Sequence, residues 1–115
     1  MVREFIFYET GSGNRPVEKF LDSLDSDVRE EIIATMEYIE ETEQVAKHLF
    51  CKMPGTRNLW EVRVRYKKNI YRVFCFFDGS RIVVAAHGIH KKSQKPPKQD
   101  IDTAHKRQKD YYRRR

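Results

Sequence analysis

Cysteine is scarce in this chain: two residues among 115, Cys51 in a stretch that reads as loop and Cys75 in one that reads as buried strand. Two thiols so placed make no disulfide framework, and reduced thiols in a cytoplasmic protein are the expectation. Long hydrophobic runs are missing as well. No stretch approaches the length of a membrane span, and the first ten residues, MVREFIFYET, lack the apolar core of a signal peptide. There are no repeats and no second domain, so residues 1–115 read as one domain, long enough to build a single core without disulfides or metals. His48, His87, His90 and His105 do not combine with the cysteines at a recognisable ligand spacing, so no metal and no cofactor is expected.

Acidic residues are scarce at one end and crowded elsewhere. Residues 91–115 hold ten Lys or Arg against three Asp, a local charge of +7 that exceeds the +6 of the whole chain and leaves residues 1–90 near neutral. Residues 25–43 hold eight acids against Arg29 alone. The acidic run reads as a solvated helix face. A basic end instead points to a polyanion, because cations that neutralise phosphates release counterions.

What is present is organised around Asn58 to Lys95. Trp60, Val62, Val64 and Tyr66 alternate with Leu59, Glu61, Arg63 and Arg65, the period of a half-buried strand. Ile70 to Phe77 is apolar on both sides except for Arg72. A guanidinium in that setting needs an anion, either an internal carboxylate such as Glu61 or a group arriving from outside; the second is the expectation. Lys67, Lys68 and Asn69 make the first turn, and Asp78-Gly79 between two apolar runs signals the second hairpin. A third strand runs from Arg81 to His87.

Around this core, Arg3 to Tyr8 reads as a first strand. Pro16 opens a short helix with Val17, Phe20, Leu21 and Leu24 on one face. Ser26 or Asp27 caps a second helix with an apolar stripe of Val28, Ile32, Met36 and Ile39, and so short a link predicts an antiparallel helical hairpin. From Ala46 to Arg57 the pattern is lost. A last helix is predicted from about Lys98, with Ile101, Ala104, Gln108 and Tyr111 or Tyr112 inward. The expected fold is α+β: a small antiparallel sheet with the N-terminal helical hairpin packed on one face, plus a C-terminal helix. The other face, carrying Glu61, Arg63, Arg65 and Arg72, would be open, a surface on which single-stranded nucleic acid could lie.

LWEVRVR, then YRVFCFF, then AAHGIHKKSQKPP and a helix containing AHKR together resemble the RelE/HigB-like toxins of bacterial type II toxin–antitoxin modules, in particular the phage-derived HigB-like branch. The likeness covers nearly the whole chain. Ile89 departs from it, standing where Phe is common, a change of packing more than of chemistry. The resemblance implies a RelE-like fold and a ribosome-dependent mRNA endonuclease that enters the ribosomal A site. It implies attack of the ribose 2′-hydroxyl on the adjacent phosphate without metal, and a cognate HigA-like antitoxin with a helix-turn-helix fold.

Such a reaction needs a base for the hydroxyl, an acid for the leaving oxygen and cations for the phosphorane charge. By the resemblance, Arg72 is the clamp on the transition state with Arg63 beside it, since a planar fork can bind two phosphate oxygens. Lys91 and Lys92 match the basic pair after the last strand, for phosphate binding or proton transfer. His87 stands open between a packed histidine and a catalytic one, and His90 between an RNA contact and a plain surface histidine. Arg65, Lys67, Lys68, Lys95 and Lys98 are candidate RNA contacts. Glu61 is either a general base or a partner that orients the arginines. Two other functions remain compatible: a gyrase-inhibiting toxin like ParE, and a non-catalytic RNA-binding regulator.

Overall fold

Each apolar row of the sequence finds a layer to bury against. In the computed structural model, which describes residues 1–90 and 95–115, the chain runs β1 (Glu4–Phe7), α1 (Pro16–Asp22), α2 (Ser26–Glu41), β2 (Phe50–Lys52), β3 (Trp60–Tyr66), β4 (Asn69–Asp78), β5 (Ile82–His90) and α3 (Lys98–Arg114). The five strands form one sheet in the order β1-β5-β4-β3-β2. It is an α+β architecture, but the sheet is mixed rather than antiparallel. β1 pairs parallel with β5, Phe5 opposite Val83, which the long connection between them through two helices and three strands allows. The patternless stretch also supplies an edge strand: β2 is three residues long, too short for a periodicity, and pairs Cys51 with Glu61 of β3.

The helices lie on both faces. Val17, Leu21, Val28, Ile32, Met36 and Ile39 pack with Val62, Val64, Tyr71, Val73 and Ala85 on the first. The predicted helical hairpin is not the organising contact, for α1 rests mainly on β5 and β1 while α2 rests on β3 and β1. The capping residue of α2 is Asp25; Asp27 instead accepts hydrogen bonds from Tyr66 Oη (2.9 Å) and the Val28 amide (3.0 Å). Arg3 closes the other end of α2, donating to the Ile39 carbonyl (2.9 Å) that the last turn leaves unpaired and to those of Thr42 (2.7 Å) and Glu43 (3.0 Å) just beyond it.

The second face, expected to be open, is half covered. α3 brings Ile101, Ala104 and Tyr111 onto Leu59, Phe74, Phe76, Val84 and Ala86. Burial of these large side chains is worth about 1.5–3 kcal/mol each, so the amphipathic C-terminal helix has strong reason to dock. The cover stops short of Arg63, whose side chain stays partly exposed. The C-terminal tail is tied down rather than loose: Tyr111 Oη donates to Asp78 (2.7 Å), and Tyr8 Oη to Asp110 (2.6 Å). Among the described residues no helix is long and apolar enough to cross a membrane.

Candidate active site

Register brings two arginines together. Arg63 of β3 is directly opposite Arg72 of β4, and both point to the α3 side of the sheet. Like charges in that position repel, and the residue that answers them is Glu61, two places before Arg63 on the same strand face. Its carboxylate accepts from Arg63 Nη2 (3.2 Å) through Oε1 and from Arg72 Nη1 through Oε2. Glu61 is 3% exposed and Arg72 0%. Of the two anions considered for Arg72, the structure shows the internal carboxylate: the enclosed guanidinium faces Glu61. Arg63 differs, its side chain 35% exposed and directed to solvent. Removing one partner of such a buried pair costs about 3–5 kcal/mol, because the other charge stays behind.

Above this trio lies a cleft of about 580 Å³. Its floor is Glu61 and Arg63, one wall is Cys51, Met53 and Pro54 from β2 and the loop after it, and the other is Lys95, Pro96, Lys98 and Ile101 at the start of α3. Apolar sides, a cationic rim and one carboxylate suit a ligand with a flat apolar part and a phosphate. Cys51 is a poor nucleophile here, since burial and then the Glu61 charge push its thiol above the ordinary value.

The remaining candidates are dispersed. His87 does not line the cleft; it is held between α3 side chains, with Nε2 2.8 Å from Asp100 Oδ1 and Nδ1 3.1 Å from Arg107 Nη1. A guanidinium only donates, so Nδ1 accepts and the ring hydrogen sits on Nε2, facing Asp100. His90 points to the opposite face from Arg72, stacked on Tyr71 at 4.4 Å and 3.0 Å from Asn69 Oδ1. Arg65 continues the row of Arg63 toward the β3–β4 turn, where Lys67 leans over the Tyr66 ring, 5.5 Å from its centre. Lys68 shares that turn, so these three lie beyond the cleft. Lys91 and Lys92 fall outside the described residues.

Asp100 and Arg107, which fix His87, carry no signal in the sequence that separates them from a solvated helix face. Nor do Met53, Pro54, Pro96 and Ile101 announce themselves as cleft walls, since each comes from a segment whose position depends on α3 docking. Comparison with curated proteins finds no match. A family model does match, over residues 19–109, a span that includes the arginine pair, Glu61 and every residue of the cleft, and the chain belongs to the family described as phage derived protein Gp49-like (DUF891).

Proposed function

We propose that this chain is the toxin of a type II toxin–antitoxin pair, of the phage-derived HigB-like branch, and that it acts as a ribosome-dependent endoribonuclease on mRNA. The observation that carries this reading is Arg63 and Glu61 at the floor of an open cleft, with the enclosed Arg72 paired to Glu61 behind them and Lys95 and Lys98 on the rim. Family membership and the resemblance of the strand and knuckle motifs support it.

In this reading the RNA phosphate next to the attacking 2′-hydroxyl settles on Arg63, the exposed member. A preorganised cation aimed at the developing phosphorane charge needs no reorganisation at the moment of reaction. Arg72 acts through Glu61 as a positioning residue: it holds the carboxylate, and the carboxylate holds Arg63 at the cleft. Lys95 and Lys98 draw the backbone in. Lys91 and Lys92 are the candidates for proton transfer together with the 2′-hydroxyl's own surroundings, while His87, with both ring nitrogens occupied, fixes the start of α3 against β5. The reaction runs without metal. The partners are the ribosomal A site with its mRNA and a HigA-like helix-turn-helix antitoxin, working in the cytoplasm.

The test is mapping of mRNA 5′ ends after a brief pulse of expression, wild type beside Arg63→Ala. New ends in codon register, reduced about 10²–10³-fold in the variant, are expected from loss of one charge-stabilising donor. Equal cleavage by the variant overturns the site. Growth arrest with DNA breaks and no new RNA ends assigns the chain to gyrase inhibition instead; neither arrest nor ends, with salt-sensitive RNA binding, makes it a binding module.

A further inference from the structure

The cleft does not end at Ile101. One helical repeat further along the same side of α3 come Asp102 and His105, then Gln108 and Lys109, then Tyr112. Facing them, the loop that walls the cleft with Met53 and Pro54 continues to Arg57 and Asn58. Two adjoining grooves of about 330 and 340 Å³ lie between these walls, and Arg57, His105 and Lys109 line both. Lys106 lines one of them, as does Asp102, the single acid among the lining residues.

This flank is built rather than incidental. Thr56 Oγ1 donates to the Met53 carbonyl (2.7 Å) and accepts from the Leu59 amide (3.2 Å), closing the loop on itself. α3 then grips Arg57 by both backbone groups: its amide donates to His105 Nε2 (3.1 Å) and its carbonyl accepts from Gln108 Nε2 (2.9 Å). Because Nε2 is an acceptor, the ring hydrogen of His105 lies on Nδ1 as a second donor. Burial and then the Arg57 charge hold this histidine below its ordinary pKa, which keeps that tautomer at neutral pH. Arg57, Lys106 and Lys109 are exposed, and no ion pair engages any of them among the described residues.

We propose that Arg57, His105, Lys106 and Lys109 form a second phosphate subsite, which takes the backbone of a single-stranded RNA whose reacting nucleotide lies in the cleft. It rests on the endonuclease reading above. From Lys98 to Lys109 the helix rises about 16 Å, the length of roughly five phosphates of a stacked strand. Cations spaced along such a line match the regular charge of a nucleic-acid backbone. An acidic protein segment would place its charges less regularly, and it is the competing outcome.

The experiment compares binding of a 10-nucleotide RNA and a trinucleotide, each with a 2′-deoxy residue at the cleavage position, by anisotropy over a salt series. The proteins are wild type, the double variant Arg57→Ala/Lys109→Ala and Arg63→Ala, with thermal midpoints as the folding control. The double variant is expected to weaken the 10-mer roughly tenfold and to reduce the salt slope by about 1.4, two single-strand phosphate contacts, while leaving the trinucleotide unchanged. Arg63→Ala is expected to weaken both ligands. If Arg63→Ala weakens both but the double variant binds the 10-mer like wild type, the flank is refuted and the cleft stands. If wild type binds neither RNA, or the flank variants lose an acidic peptide and not RNA, the proposal fails.

Discussion

Glu61 carries two positive charges on one carboxylate, and the consequences separate stability from chemistry. Glu61→Ala leaves the enclosed Arg72 guanidinium without that carboxylate, and the expected loss is about 3–5 kcal/mol in urea unfolding. Replacing both members, Glu61→Leu with Arg72→Met, removes the uncompensated charge and is expected to recover most of that loss. RNA cleavage by the double variant should nevertheless stay low, because Arg63 is no longer held at the cleft. A double variant that is stable and cleaves like wild type would show that the trio only shapes the core. The pairing of these residues was half legible in the chain. Alternation places Glu61, Arg63 and Arg72 on one face, but whether Arg72 is solvated or enclosed depends on what packs over that face, which no local pattern states.

At the level of elements, the register shift between Phe74 and Cys75 settles more than any motif. Phe74 pairs with His87 and Cys75 with Ala85, so Ala86 is the extra residue of a bulge in β5. Simple alternation from Val83 would set His87 with Ala85 on the α1–α2 side; the bulge turns it to the α3 side, where Asp100 and Arg107 take it. A single residue of slip reverses every later side chain, which is why His87 could be located on a strand from the sequence but not assigned to a face, while His90, expected beyond the strand, in fact ends it. The same shift puts Gly88 under α1. A Cβ there would lie 2.3 Å from Phe20 Cδ2, so the helix approaches β5 only because position 88 has no side chain. Gly88→Ala is expected to destabilise by about 1–3 kcal/mol through overpacking. Adding Phe20→Leu should return part of the loss, and strict additivity of the two changes in thermal melts would count against this contact.

Across the whole molecule the charge separation read from composition becomes a spatial one, with the acidic α2 on one side of the sheet and the basic α3 on the other. Besides its apolar face, tyrosine–aspartate contacts hold α3 in place, and no local pattern reveals them, because the partners are 102 residues apart for Tyr8 and Asp110 and 33 for Asp78 and Tyr111. Asp110 accepts from Tyr8 Oη and pairs with Arg113 (2.8 Å) and Arg114 (2.8 Å). Hydrogen bonds from Arg114 and Tyr8 hold its carboxyl far below the usual carboxylate range. A carboxyl depressed in the fold stabilises it above the ordinary value of about 3.9, and that contribution drains away as pH falls toward the folded value. At the alkaline end the sign is opposite. Burial and the Asp78 hydrogen bond push Tyr111 up to about 12, so its contribution is complete below the ordinary tyrosine value of about 10 and is lost as pH rises from there toward 12. Urea midpoints should therefore be level between pH 5 and 9 and fall on both sides. Asp110→Asn should lower the plateau and flatten the acid limb between pH 4 and 2.5, whereas Tyr111→Phe should flatten only the alkaline limb. An acid limb of unchanged steepness in Asp110→Asn would mean that other carboxylates anchor the fold, and that α3, with the cleft wall it carries, is held by its apolar face alone.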